Sequence, residues 1–210
     1  MKIEVKDYSK VLRNVSILDS VNITLTSGSI YGLVGKNGCG KTMFLRAIAG
    51  LIVPTSGEVL VDGKRLHKDI SFPPEMGILI ENPVFLEYLT GLDNLKMLAE
   101  IQGIATEESI KAHMQQLGLD PSLRLPVRKY SLGMKQKLGI IQAIMENPKL
   151  LILDEPFNAL DAESVSKLQE ILLEYKNEGK MIVMTSHHME EIEKLCDVIV
   201  FMEDGKLKVN

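Results

Sequence analysis

Eight residues, Gly35 to Thr42 (GKNGCGKT), hold three glycines, two lysines and a threonine and match the pattern GxxxxGK[ST]. Glycines let consecutive backbone N–H groups turn inward around an anion, and a lysine neutralises phosphate oxygens. A hydroxyl beside the lysine suits a hard divalent cation. The chemistry implied is the holding of a nucleotide polyphosphate. Gly35, Lys36, Asn37, Gly38, Cys39, Gly40, Lys41, Thr42 and Met43 form the candidate cradle. Lys41 would reach the β- and γ-phosphates, and Thr42 would ligate Mg²⁺.

A second stretch, LLILDEP (Leu150 to Pro156), ends an apolar run on two acids. At the carboxyl end of a buried parallel strand, acids stand where ligands bind. Asp154 suits Mg²⁺, and Glu155 suits orienting and deprotonating a water in line with the γ-phosphorus. Two acids also end many strands harmlessly at a surface; the phosphate loop upstream favours the chemical reading.

These residues need elements to carry them. The apolar run IYGLV precedes the glycine loop, and KTMFLRAIAG after it has helical apolar spacing closed by Gly50. KIEV, VNITL and the turn–strand–turn PTSGEVLVDGK read as further strands. From Asp93 to about Asn147 the spacing is helical, with a helix start at Thr106 and acids in its first turn. Strands return in KLLILDEP, KMIVMTSHH and VIVFMEDGKL, separated by the helices DAESVSKLQEILLEYKNEG and MEEIEKLCD. Strands alternating with helices predict an α/β core with largely parallel strands. Core strands lie on both sides of the helical middle, so it is expected as an insertion.

Bulk composition fits a globular chain of 210 residues, 45% apolar and 25% charged. A net charge of -4 gives no electrostatic case for nucleic acid as a partner. Cys39 and Cys196 lie far apart without CxxC spacing, which argues against a zinc site and fits a reducing compartment. The N-terminus MKIEVKDYSK lacks a signal-peptide core, and the longest apolar runs are far too short to span a bilayer.

A GTPase should carry NKxD and DxxG, and neither tetrapeptide occurs; a small-molecule kinase stays open on the loop alone. The ordered set GKNGCGKT, YSLGMKQKL, LLILDEP, NALD and TSHH resembles the nucleotide-binding subunit of an ATP-binding cassette (ABC) transporter along essentially the whole chain. The resemblance implies a P-loop NTPase core with a mainly parallel sheet, a small antiparallel β part and an inserted helical subdomain. One domain, 1–210, would divide into a core lobe of about 1–90 and 148–210 and a helical subdomain of about 91–147.

By that resemblance, ATP and Mg²⁺ are held between two subunits arranged head to tail. Ser131 and Gly133 match the family's LSGGQ signature, whereas Tyr130, Leu132 and Met134 replace its Leu, first Gly and Gln. Both retained residues would meet ATP on the other subunit. Asp161, in NALD, would lie at the dimer interface and equally makes a good helix N-cap. His187 would bridge the γ-phosphate and Glu155. Glu81 stands where the family usually has Gln, and would keep a metal-sensing and catalytic role. Tyr8 is the candidate aromatic for stacking adenine.

IENP, LTG and DNL resemble pieces of bacterial cassettes linked to export and peptide-antibiotic resistance. The expected function is ATP hydrolysis that powers transport through separate membrane permease subunits. The second ATP-binding subunit is expected to be an identical copy or a homologue, and the location cytoplasmic, on the inner face of the membrane. NPVFLEY, after Glu81, is the expected docking surface. Two alternatives stand beside this: a soluble cassette ATPase outside transport, which typically has tandem cassettes or a long insertion, and a nucleotide-gated sensing module with negligible turnover.

Overall fold

The computed structural model describes residues 1–187 and 189–209. A long hairpin opens the chain. Strands β1 (Lys2–Leu12) and β2 (Val15–Thr26) are joined at Arg13 and Asn14, with φ of 48° and 64°. Two consecutive positive φ values characterise the tight primed turn that matches strand twist. With β4 (Ser56–Val61) and β5 (Lys64–Arg65) these strands form an antiparallel sheet in the order β2-β1-β4-β5.

The second sheet has six strands in the order β10-β9-β3-β8-β7-β6. They are β3 (Ile30–Val34), β6 (Met76–Leu79), β7 (Leu150–Leu153), β8 (Met181–Thr185), β9 (Val198–Glu203) and β10 (Lys206–Val209). All pairs are parallel except β9 with β10. Every residue of β7 and β8 is buried. That explains their unbroken apolar sequence, since a parallel strand is covered on both faces. Leu150 and Ile152 face one hydrophobic cluster, and Leu151 and Leu153 the other.

Helix α1 (Lys41–Ile48) packs between the two sheets, with Phe44, Leu45 and Ile48 in the shared core. Helices α2 (Gly91–Gln102), α3 (Glu107–Gln116) and α4 (Leu132–Ile144) follow one another between β6 and β7. Leu138, Ile141 and Ile144 of α4 join a core with Leu151 and Leu153. Thr106 starts α3 in a capping box, accepting from Ser109 N–H while Ser109 Oγ accepts from Thr106 N–H. Helix α5 (Ala162–Asn177) links β7 to β8, and α6 (Met189–Leu195) links β8 to β9.

Strand β6, MGIL, is an edge strand with little sequence signal, being short and preceded by a Pro-rich turn. Its register with β7 brings the chain after Leu79 beside Asp154, whose N–H donates to the Leu79 carbonyl at 2.7 Å. β8 lies between β3 and β7 and is parallel to both, so the segments leaving all three strands meet at one end of the sheet.

Candidate active site

The glycine loop leaves β3 and enters α1 through Gly40, whose φ is 112°. A Cβ there would lie 2.9 Å from the Ile17 carbonyl oxygen, so both backbone shape and space require glycine. No side chain caps α1, which leaves its first N–H groups for an anion. Lys41 is buried, and its ammonium donates to the carbonyls of Gly35 at 2.7 Å and Lys36 at 3.3 Å. The loop thereby holds a cation over its own curve. Cys39 serves as loop backbone: its side chain is buried, and its carbonyl accepts from Gly205 N–H at 3.0 Å.

Asp154 closes onto this loop. Its Oδ2 accepts from Thr42 Oγ1 at 2.7 Å, and its Oδ1 from Thr185 Oγ1 at 2.6 Å. Thr185, fully buried at the end of β8, also accepts from Glu155 N–H at 2.8 Å. One hydroxyl therefore ties both acids of LLILDEP to the neighbouring strand. Thr185 opens TSHH, and its signal in the sequence is a hydroxyl ending a wholly apolar strand, where it must find partners.

Glu155 has a φ of 51°, a left-handed backbone that non-glycine residues seldom adopt and that clusters at functional sites. Its Oε2 accepts from His187 N–H at 3.1 Å. His187 Nε2 stands 3.0 Å from the other oxygen, Oε1, close enough for charge contact but without hydrogen-bond alignment. Oε1 is buried and has no hydrogen-bond donor among the described residues. Burial holds the Glu155 carboxyl above its ordinary range, against the opposing pull of His187 and Lys41.

A cleft of about 370 Å³ joins these groups. Asn37, Gly38, Gly40, Lys41, Thr42 and Met43 line it on the loop side, with Asp154, Glu155 and His187 opposite. Ile17 of β2 also lines it and was missed, because nothing in VSILD distinguishes it from an ordinary strand residue. His188 lies outside the described residues.

Other expected site residues fall elsewhere. Tyr8 is corrected: it is 1% exposed, donates its hydroxyl to the Ile52 carbonyl at 3.0 Å and has its pKa pushed up to about 12 by burial. A ring enclosed in the core has no free face for a base. The misreading arose because β1 continues to Leu12, beyond the expected KIEV. Glu81 has its carboxylate on Arg46 of α1 at 2.8 Å and is not among the residues lining the cleft. Ser131 caps α4 by accepting from Met134 N–H at 3.2 Å, and Asp161 caps α5 by accepting from Ser164 N–H at 2.9 Å. The Ser164 N–H and the Ser164 hydroxyl, both donating to Asp161 Oδ1 at 2.9 Å, bring the Asp161 pKa down to about 2. Ser131, Gly133 and Asp161 also lie outside the cleft of their own chain.

Thr185→Val should keep the side chain's shape and remove its hydroxyl. The Glu155 N–H and one face of Asp154 would then be left unpaired in a buried place. A stability loss of about 1–3 kcal/mol is expected in urea unfolding, together with slower ATP turnover. An unchanged midpoint and rate would remove Thr185 from this role.

Known proteins resemble this chain in sequence and in overall fold. The family model described as ABC transporter matches residues 18–158. An ABC transporter ATP-binding protein of Bacillus subtilis (strain 168) is 46% identical over 208 residues, covering 99% of this chain and 95% of that protein. A lantibiotic transport ATP-binding protein of Streptococcus pyogenes is 35% identical over 206 residues, 98% of this chain and 88% of its own. A solved ATP-binding subunit of an ABC transporter superposes with a TM-score of 0.90 at 30% identity, covering 99% of this chain and 88% of that one. With a phosphate loop, two acids and a histidine converging on one cleft, this chain belongs to the ABC transporter family and is an ATP-binding subunit of it.

Proposed function

We propose that ATP is hydrolysed in the cleft between the glycine loop and the ends of β7 and β8, and that closure of two such chains on ATP drives a separate membrane permease. The observation that carries this is the direct Thr42–Asp154 hydrogen bond, which seats the phosphate loop against the strand bearing Glu155.

Lys41 would exchange its loop carbonyls for phosphate oxygens when the nucleotide enters. Thr42 Oγ1 and Asp154 offer hard oxygen donors 2.7 Å apart. They fit Mg²⁺, which binds through one or two protein groups and completes its shell with water and phosphate. Bound there, the ion would neutralise developing phosphate charge. Glu155 Oε1, buried and without a donor among the described residues, is poised to accept a proton from the attacking water. His187 orients that carboxylate through its backbone N–H and brings its ring to the same place. The exposed apolar residues Leu12 and Val15, at the hairpin end near Ile17, replace Tyr8 as the surface for adenine.

Ser131 stands exposed at the start of α4, outside the cleft of its own chain. That placement supports contact with ATP held by a second copy, a homodimer with two sites. The division into a core lobe, 1–90 and 148–210, and a helical subdomain, 91–147, would let that contact move. Beyond Glu81, Val84 is 93% exposed and Tyr88 72% exposed, a chain of apolar surface suited to a permease loop at the inner membrane face. No helix among the described residues is long and apolar enough to cross a membrane. The named lantibiotic relative supports placement in the export and peptide-antibiotic-resistance branch.

The Arg46–Glu81 pair ties the helix after the phosphate loop to this docking segment. Glu81→Ala is expected to raise the Mg²⁺ concentration for half-maximal ATPase activity severalfold. A Mg²⁺ dependence identical to wild type in both Glu81→Ala and Glu81→Gln would exclude metal sensing. The experiment for the whole reading is steady-state ATPase by wild type, alone and with its membrane subunits. Hydrolysis supports it, and none under either condition would favour a nucleotide-gated sensing module.

A further inference from the structure

The first turns of α4 rest along the loop that leaves β7. Gln136 is 9% exposed, and its side-chain Nε2 donates to the carbonyls of Glu155 and Pro156, each at 3.1 Å. One turn earlier, a Cβ placed on Gly133 would lie 2.6 Å from the Ala159 carbonyl oxygen, so these two backbones meet almost directly. Lys137 Nζ reaches Asp161 Oδ2 at 3.4 Å. Residues 133, 136 and 137 have i, i+3, i+4 spacing and therefore share one helix face. That face covers the loop from Glu155 to Asp161.

The same loop is bent unusually. Glu155 and Ala159 have φ of 51° and 60°, a conformation that persists only where surroundings hold it. Around Glu155 both peptide groups are held. Its N–H goes to Thr185 on β8, and its C=O receives Gln136 from α4. The carboxylate follows the backbone to which it is attached. Thr185 belongs to the strand beside β7, whereas Gln136 belongs to a helix whose first residues, Ser131 and Leu132, are exposed.

We propose that Gln136 is a positioning residue for Glu155. Through it, the helix start offered to a second subunit's ATP and the hydrolytic carboxylate of the same chain form one mechanical block. The proposal rests on the reading of Glu155 as base and Ser131 as a contact made across the dimer. Closure against ATP at Ser131 then reaches Glu155 of the same chain within a few residues, which couples the two sites without any contact between their nucleotides. Gln136 touches no reacting atom; its effect passes through the Glu155 and Pro156 carbonyls.

Gln136→Met keeps length and shape and removes both hydrogen bonds. Its ATPase rate should be measured per nucleotide-binding site, with sites counted by titration of a fluorescent ATP analogue. A fall in kcat of about 10- to 100-fold, with nucleotide Kd within about twofold of wild type, is expected, since small misplacements of a reacting group have effects of this size. A merely structural role would reduce the number of binding sites and leave kcat per site intact; that outcome overturns the proposal. If the Met variant does not fold, Gln136→Asn gives the same reading, because its amide is one methylene too short for the two carbonyls. Glu155→Gln measured alongside separates the two levels of inference. If it abolishes turnover while the Gln136 variants keep full kcat, the base stands and the positioning role fails. If it turns over like wild type, the base fails and the proposal falls with it.

Discussion

Glu155→Gln is expected to lower steady-state ATP turnover by about 10²- to 10⁴-fold while leaving ATP affinity within about threefold, the pattern of a lost proton acceptor. The amide matches the carboxylate in shape, and its oxygen can still accept from His187 N–H, so the backbone and cleft should survive. What disappears is the basic Oε1, the buried atom without a donor among the described residues. The wild-type pH profile tests the same atom. A general base works when deprotonated, and burial raises the Glu155 pKa above its ordinary 4.5. Turnover should therefore fall on acidification at a pH above that value. A midpoint at or below it would contradict the electrostatics of the site.

Lys41→Ala should act on binding instead. Lys41 is the buried cation inside the glycine loop, and its ammonium already sits on the Gly35 and Lys36 carbonyls. Removing it deletes one charge-assisted contact to phosphate and leaves those carbonyls turned toward an anion. ATP affinity should drop about 10- to 100-fold, the range of one or two kcal/mol-scale charged hydrogen bonds. Fluorescent-nucleotide titration reads this directly. Affinity equal to wild type, in a variant with unchanged unfolding, would mean that the loop binds through its backbone alone.

Much of the cleft was legible because its chemistry demands particular residue types in short spans. A phosphate cradle needs glycine at fixed spacing, and Gly40 shows why, combining a positive φ with the nearby Ile17 carbonyl. Acids at the end of an unbroken apolar run mark the carboxyl end of a buried parallel strand, and β7 bears this out. The alternation of strand and helix was equally plain, with β6 and the two-residue β5 the exceptions, since such short segments carry almost no periodic signal.

What escaped depends on contacts between distant segments. Tyr8 looked available because an aromatic beside a first strand gives no hint of whether its ring faces the core; the length of β1 and the Ile52 carbonyl decide it. Glu81 could be located, but its Arg46 partner belongs to another element. Gln136 did leave a trace. It falls on the same stripe as the buried Ile140 and Ala143, and a polar side chain on a buried stripe must be paired. The partners, two carbonyls at the end of a strand nineteen and twenty residues on, appear only in the fold.

The most direct measurement is the molar mass of the Glu155→Gln chain by light scattering, with and without Mg·ATP. With hydrolysis blocked, ATP held between one chain's glycine loop and another's Ser131 should hold the two together, so the mass should double with ATP and return to that of one chain when the nucleotide is removed. A mass that stays at one chain at saturating ATP, in a protein that demonstrably binds the nucleotide, would contradict the sandwich on which the transport cycle depends.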